Sequence, residues 1–123
     1  MKILIVDDNK NMREMIKSII KANEVVFYEA DNGLDAIRIY NEKKPDWVTM
    51  DIRMDGMDGI EASEKIMSNS SDAKIIMVTD YGDNYLRKRA KEAGSIGYLL
   101  KENLLELKNI IYQKINNSNQ LIN

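Results

Sequence analysis

The sequence contains no cysteine and no histidine. Without cysteine, the chain can form neither disulfides nor thiolate metal sites, and it has no thiol nucleophile. Without histidine, it cannot carry out serine-histidine or cysteine-histidine catalysis, build a histidine-ligated metal site, or form a phosphohistidine of its own. Any metal site made of side chains must therefore consist of oxygen ligands, which favour hard cations such as Mg²⁺, Mn²⁺ or Ca²⁺.

Long apolar segments and a large excess of one charge are absent as well. The N-terminal apolar run reaches an acid at Asp7, which is too early for a signal peptide or a membrane-spanning helix. The 18 basic and 20 acidic residues give a net charge of -2, which is too balanced for a dedicated nucleic-acid binder. We therefore expect a soluble, cytoplasmic protein that itself binds neither nucleic acid nor membrane.

The length of 123 residues corresponds to one domain. A chain of this size buries about two-thirds of its surface on folding, which supports a core without disulfides or structural metals. We place the domain at residues 1–116. Residues 117–123 form a polar tail that we expect to fray.

Short apolar runs typical of buried strands alternate with spacings typical of amphipathic helices. The predicted strands lie near residues 3–6, 25–28, 46–51, 74–78 and 96–100. Five strand-helix units in strict alternation predict an α/β fold, in which a doubly wound, five-stranded parallel sheet carries helices on both faces.

The helices are predicted from their apolar stripes. The first stripe comprises Met12, Met15, Ile16, Ile19 and Ile20; the second helix carries Leu34, Ile37 and Tyr40; the fourth carries Leu86, Ala90 and Ala93; and the last carries Leu104, Leu107, Ile111 and Ile115. The other face of the fourth helix is basic. We interpret that basic face chiefly as solvated, with a docking surface as the alternative.

Polar residues that can carry chemistry stand at the carboxyl ends of the apolar strands. These residues are Asp7 and Asp8 after the first strand, Asp51 after the third, Thr79 after the fourth and Lys101 after the fifth. The carboxyl ends of parallel strands meet at one edge of the sheet, where doubly wound folds hold their functional sites. Asn9 can cap the first helix, which leaves the two preceding acids available for another role.

Three carboxylates at one edge repel each other, by about 4 kcal/mol for a pair about 4 Å apart at an effective dielectric constant near 20. They must take up protons or bind a cation, and Mg²⁺ is the natural choice for an all-oxygen site. A lysine and a threonine hydroxyl suit phosphate oxygens. Together these groups predict a phosphoryl-transfer site with an aspartate nucleophile.

The motifs in this order resemble the receiver domain of response regulators, the CheY-like phosphoacceptor of bacterial two-component signalling. They are Asp7-Asp8, the segment Asp51–Glu61, Val78-Thr79 and Gly97–Lys101. Each motif alone is weak, but the set at the spacing of five strand-helix units is specific. The resemblance covers about residues 1–116 and implies a flavodoxin-like sheet with strand order 2-1-3-4-5.

The resemblance also implies roles for individual residues. Asp51 would be phosphorylated by a sensor histidine kinase or a phosphotransfer protein. Asp8 and Asp51 would bind Mg²⁺ directly, with Mn²⁺ as a possible substitute. Asp7 would act mostly through water, and the backbone carbonyl of Arg53 would complete the protein ligands.

Thr79 and Lys101 would contact the phosphoryl group, and Thr79 and Tyr98 would form a switch. The face made by the fourth helix, fifth strand and fifth helix would then change its affinity for a downstream protein whose identity the sequence does not give. Such a domain is no enzyme beyond its own Mg²⁺-dependent phosphorylation and autodephosphorylation. It would be a monomer or a phosphorylation-dependent dimer.

Three positions depart from the family pattern. Asp55 stands where a proline is usual, Asp80 where a small residue is usual, and Glu102 where a proline often follows the lysine. We expect altered phosphorylation or dephosphorylation rates from these changes. The main alternative is a pseudo-receiver, an interaction module that is not phosphorylated.

Two other classes are rejected on spacing. A calcium-binding loop that begins at Asp51 has Arg53 at its third position and Ala62 at its twelfth, where ligands are needed. A haloacid-dehalogenase-type phosphatase needs an Asp-x-Asp motif after its first strand, and the sequence from Asp7 lacks it.

Overall fold

The computed structural model describes residues 1–21 and 24–113, in which strands and helices alternate along the chain. The strands are β1 (Lys2–Val6), β2 (Val26–Ala30), β3 (Trp47–Met50), β4 (Ile75–Thr79) and β5 (Gly97–Leu100). The helices are α1 (Lys10–Ile20), α2 (Gly33–Lys43), α3 (Gly59–Asn69), α4 (Asn84–Glu92) and, after a 3₁₀ turn at Lys101–Asn103, α5 over residues 106–113.

All five strands are parallel, in the order β2-β1-β3-β4-β5. In the register of the sheet, Val6 lies opposite Ala30 on one side and opposite Met50 on the other. Thr79 lies opposite Leu100. The carboxyl ends of the strands are therefore aligned at one edge, and the predicted fold and strand order are confirmed.

Two apolar layers cover the sheet. On one face, α1 and α5 pack over a cluster that includes Ile3, Ile5 and Trp47. On the opposite face, α2, α3 and α4 pack over a cluster that includes Leu4 and Met50. Because helices cover both faces, the central strands are buried throughout, which explains their continuous apolar runs.

Side-chain caps begin three of the helices. The side-chain oxygens of Asn9, Asn32 and Asp58 accept hydrogen bonds from the backbone N–H groups three residues later, at the starts of α1, α2 and α3. Each such cap stabilises its helix by about 1 kcal/mol. Because Asn9 caps α1, Asp7 and Asp8 are not needed for that role.

The structure corrects two of the predicted core residues. Met15 is 51% exposed and Leu34 is 68% exposed. On α1 the buried residues are Ile16 and Ile20, so Met15 lies at the edge of the apolar stripe. On α2, Leu34 lies about 200° around the helix from the buried Ala36, because successive residues are about 100° apart.

The second strand also differs from its predicted bounds, since β2 extends beyond Tyr28 to Ala30. Glu29 fits in this edge strand because Arg13 Nε and Lys17 Nζ lie 3.0 and 2.8 Å from its carboxylate oxygens. The predicted core residue Ile115 and the domain boundary at residue 116 fall outside the described residues. Within the described residues, no helix is long and apolar enough to cross a membrane.

Candidate functional site

Three aspartates meet at the carboxyl edge of the sheet. Asp7 and Asp8 follow β1, and Asp51 follows β3, its neighbour in the sheet. One carboxylate oxygen from each lies within 4.8 Å of the others. Asp7 and Asp51 are 1% and 5% exposed, whereas Asp8 is exposed. The cluster is therefore buried on one side and open to solvent on the other.

Lys101 is the cation of this site. Its Nζ lies 3.0 Å from Asp7 Oδ2 and 3.6 Å from Asp51 Oδ1. The contact with Asp7 is an ion pair and not a hydrogen bond. The buried oxygen Asp7 Oδ2 accepts no hydrogen bond within the described residues. One ammonium against three carboxylates leaves an excess of negative charge at the edge.

This excess of charge changes the acidity of the groups inside the site. Burial, together with the neighbouring charges of Asp7 and Asp8, raises the pKa of Asp51 to about 7, although the charge of Lys101 works in the opposite direction. Burial by itself would lower the pKa of Lys101, but the surrounding carboxylates outweigh it and raise that pKa above its usual value. Lys101 therefore stays charged, whereas near neutral pH Asp51 is present in both its protonated and its ionised form.

The cluster has the chemistry of a site for a hard divalent cation. Its donors are all oxygen, and the buried oxygen Asp7 Oδ2 has no hydrogen-bond donor. The other oxygen, Asp7 Oδ1, accepts a hydrogen bond from the backbone N–H of Asn9 at 2.9 Å, which fixes the carboxylate orientation. Mg²⁺, which prefers one or two carboxylates and several waters, fits this donor set.

Arg53 lies two residues after Asp51, in the β3–α3 loop (residues 51–58). Its guanidinium carbon is 4.7 Å from the centroid of the Tyr81 ring, in the loop that follows β4. The arginine therefore connects the β3–α3 loop, which begins at Asp51, with the loop that follows β4. The role of its backbone carbonyl as a metal ligand stays a prediction.

Thr79 and Tyr98 both contact the backbone of Tyr81. Thr79 is fully buried at the end of β4, and its Oγ1 accepts a hydrogen bond from Tyr81 N at 3.2 Å. The hydroxyl of Tyr98, which is half-buried on β5, donates to Tyr81 O at 2.5 Å. The sequence pattern gave no signal for Tyr81, because its role as a link depends on backbone atoms.

The three departures from the family pattern occupy different places. The side chain of Asp80 is 68% exposed, and its Oδ2 lies 3.8 Å from Lys101 Nζ, at the open side of the cluster. Asp55 is exposed in the β3–α3 loop, and Glu102 is exposed in the 3₁₀ turn. Of these three acids, only Asp80 forms an ion pair with a site residue.

A family model described as the response regulator receiver domain matches residues 3–112. The chain belongs to this family. This receiver domain is 44% identical over 102 residues to the chemotaxis protein CheY of Listeria monocytogenes, and the match covers 82% of this chain and 86% of that protein. The domain is therefore CheY-like.

Solved structures agree with this assignment. The CheY-like receiver domain protein from Methanospirillum hungatei superposes with a TM-score of 0.87 at 25% identity, over 97% of this chain and 96% of that one. A chain of the CheX-CheY-BeF3-Mg²⁺ complex from Borrelia burgdorferi gives a TM-score of 0.74 at 29% identity, over 80% of this chain and 76% of that one.

Membership in this family gives the coarse function of the domain. Receiver domains are signalling proteins of two-component systems and are not classical enzymes. CheY-like receiver domains interact with kinases and with downstream targets.

Proposed function

We propose that this receiver domain accepts a phosphoryl group on Asp51, in the cytoplasm, from a sensor histidine kinase or a phosphotransfer protein. The observation that carries the proposal is the position of Asp51. Its carboxylate lies at the carboxyl edge of the sheet, clustered with Asp7 and Asp8 and 3.6 Å from Lys101 Nζ. A nucleophile, a cation-binding acid cluster and a fixed ammonium are the groups that phosphoryl transfer requires.

In the proposed reaction, a carboxylate oxygen of Asp51 forms a bond to phosphorus while the bond from phosphorus to the donor's imidazole nitrogen breaks. The electron pair of that bond stays on the imidazole. The ammonium of Lys101 stabilises charge on the phosphoryl oxygens. Thr79 Oγ1 accepts its hydrogen bond from Tyr81, so its own proton can be donated to a phosphoryl oxygen. Water later hydrolyses the acyl phosphate and restores the carboxylate.

The proposed metal is Mg²⁺, with Mn²⁺ as a substitute. Asp8 and Asp51 would bind it directly, Asp7 through water, and Arg53 through its backbone carbonyl. When bound, the ion offsets the repulsion of the carboxylates and the charge of the phosphoryl group. The Borrelia burgdorferi CheY complex contains Mg²⁺ and BeF3, which supports this choice.

We further propose that Thr79 and Tyr98 transmit phosphorylation to the face of α4, β5 and α5. Both side chains contact Tyr81, so a shift of the Thr79 hydroxyl toward a phosphoryl group would change the bond from Tyr98 to Tyr81. A ligand shifts a two-state element only by binding its two states differently. The downstream protein would bind this face, and the domain would act as a monomer or as a phosphorylation-dependent dimer.

The direct test is phosphorylation by a small donor. Wild-type protein incubated with acetyl phosphate should gain about 80 Da, the mass of one phosphoryl group on an aspartate nucleophile. The gain should require Mg²⁺ and should disappear in alkaline hydroxylamine, which cleaves acyl phosphates. The readout is intact-mass spectrometry, with EDTA as the control. A gain that persists in EDTA would contradict the proposed metal site.

A pseudo-receiver is the second candidate, and the position of Asp80 is the observation that favours it. Its carboxylate lies beside Lys101 at the open side of the cluster, where it can repel an anionic donor. Asp80→Ala should therefore speed labelling by acetyl phosphate by about threefold to tenfold, the effect of about 1 kcal/mol. The measurement is the rate of mass gain, with Asp72→Ala, at an exposed aspartate between α3 and β4, as the matched control. Equal rates in wild type and Asp80→Ala would remove Asp80 from the mechanism, and no labelling of either protein would support the pseudo-receiver.

A further inference from the structure

An open groove of about 300 Å³ lies between the β3–α3 loop and α4. Its floor contains the apolar side chains of Ile52 and Leu86, which are buried against the core. Arg53 and Arg89 also line it. We call this surface the arginine groove.

Both arginines lie against tyrosine rings. The guanidinium carbon of Arg53 is 4.7 Å from the ring centroid of Tyr81, and that of Arg89 is 6.0 Å from the ring centroid of Tyr85. Such contacts restrain the guanidinium while its N–H edge stays able to bind a carboxylate in a bidentate manner. The two arginines are therefore positioned to bind carboxylates.

The cations of the β3–α3 loop and of α4 have no carboxylate partner within residues 1–21 and 24–113. Of the cations there, Arg53, Arg87, Lys88, Arg89 and Lys91 form no ion pair with a described carboxylate. By contrast, Arg13, Lys17, Arg38 and Lys101 each form at least one.

The groove lining has one acid, Asp58, against the two arginines, so its net charge stays positive. Asp58 Oδ1 accepts a hydrogen bond from Glu61 N at 2.8 Å and caps α3.

We propose that the arginine groove binds an acidic segment of a partner protein, with carboxylates on Arg53 and Arg89 and an apolar side chain on Ile52 and Leu86. A protein segment fits better than a nucleic acid, because the chain has a net charge of -2 and an acid cluster next to the groove, both of which repel a long polyanion. The proposal goes beyond the phosphoacceptor function and needs no phosphorylation. It replaces the interpretation of the basic α4 surface as merely solvated.

The test uses a defined probe, a fluorescein-labelled twelve-residue peptide (length on the order of one short docking segment) in which glutamate and leucine alternate. Its affinity for the full chain is measured by fluorescence anisotropy. The double variant Arg53→Glu/Arg89→Glu should weaken binding at least about tenfold. The matched variant Lys65→Glu/Lys108→Glu reverses two exposed, unpaired cations elsewhere and should change the affinity by less than about twofold. Thermal unfolding of both variants checks that each is folded.

Several results would overturn the proposal. Equal weakening by both double variants would mean that the peptide responds only to net charge. Equal binding of a glutamine-leucine peptide would mean that the carboxylates are not recognised, and tighter binding of a single-stranded oligonucleotide would point to nucleic acid. Self-association of the wild type that Arg53→Glu/Arg89→Glu abolishes would make a second copy of the chain the occupant. Asp51→Asn should keep the wild-type affinity for the peptide, so this test and the phosphorylation test can fail independently.

Discussion

Asp51→Asn is expected to raise the free energy of unfolding by about 2–4 kcal/mol at about pH 8 while abolishing the phosphoryl mass gain. The folded protein holds the pKa of Asp51 at about 7, against an ordinary value of 3.8. Above about pH 7 the folded state must keep this carboxylate charged in a buried, negative environment, whereas the unfolded chain keeps it charged in water. Asparagine removes that cost and also removes the nucleophile.

The pH dependence follows from the direction of the shift. Between about pH 4 and pH 7 the folded state binds more protons than the unfolded state, so the Asp51 contribution to stability falls as pH rises. The stability difference between Asp51→Asn and wild type should therefore be largest above about pH 7 and should shrink toward zero near pH 4. The measurement is urea unfolding of both proteins across this range.

The exposed Asp55→Asn serves as the matched control and should follow the wild type. Mg²⁺ should stabilise the wild type more than Asp51→Asn, since the variant has lost one of the three clustered carboxylates. A stability difference that does not vary with pH would contradict the raised pKa, and a mass gain in Asp51→Asn would contradict the assignment of the phosphoacceptor.

Gly59→Ala is expected to cost about 3 kcal/mol of stability, because there is no room for a methyl group at this position. A Cβ on Gly59 would lie 1.9 Å from Asp51 O and 2.8 Å from Asp51 C. The backbone is held there, since Gly59 N donates to Ile52 O at 2.7 Å. The β3–α3 loop would have to move, and Asp51 would move with it. A misplacement of about 1 Å at a reacting group can lower a rate about a hundredfold, so labelling by acetyl phosphate should slow as well.

Gly82→Ala is the matched control for this substitution. A Cβ on Gly82 would meet its nearest heavy atoms at 3.4 Å and beyond, which is ordinary contact. Its stability should stay within about 1 kcal/mol of the wild type. Urea unfolding and the acetyl phosphate assay are then applied to both variants. If Gly59→Ala were as stable and as quickly labelled as Gly82→Ala, the close approach of α3 to Asp51 would not constrain the site.

The fold was predictable because its strongest signals are local. Buried parallel strands have continuous apolar runs, and their alternation with helical stripes leaves few topologies. The predictions of core residues and strand bounds were wrong at positions where the neighbours of a side chain determine its exposure. Leu34 has the apolar character of a core residue, but α2 turns it toward solvent. Glu29 is charged, as residues in loops often are, but two cations of α1 form ion pairs with it and allow it to lie in β2.

The residues of the candidate site could be predicted from the sequence, but the pKa values of its groups could not. The rule for the carboxyl edge of a parallel sheet brings Asp7, Asp51 and Lys101 together from positions far apart in the sequence. The pKa of Asp51, however, depends on the burial that the whole fold creates. Two further features, the contacts of Thr79 and Tyr98 with Tyr81 and the arginine groove, depend on loop conformations. Loops have no periodic sequence pattern from which their conformation can be predicted.

The position of Trp47 gives the protein a built-in optical probe. It is the single tryptophan of the chain, it is 1% exposed, and it lies at the start of β3, whereas Asp51 follows the other end of that strand. Asp51 is four residues further along the chain, a distance of about 13 Å at about 3.3 Å per residue. The indole of Trp47 therefore does not contact the acidic cluster directly. Its fluorescence therefore reports whether the core around β3 is intact. Phosphorylation of Asp51 would change this fluorescence only through a structural change transmitted along β3.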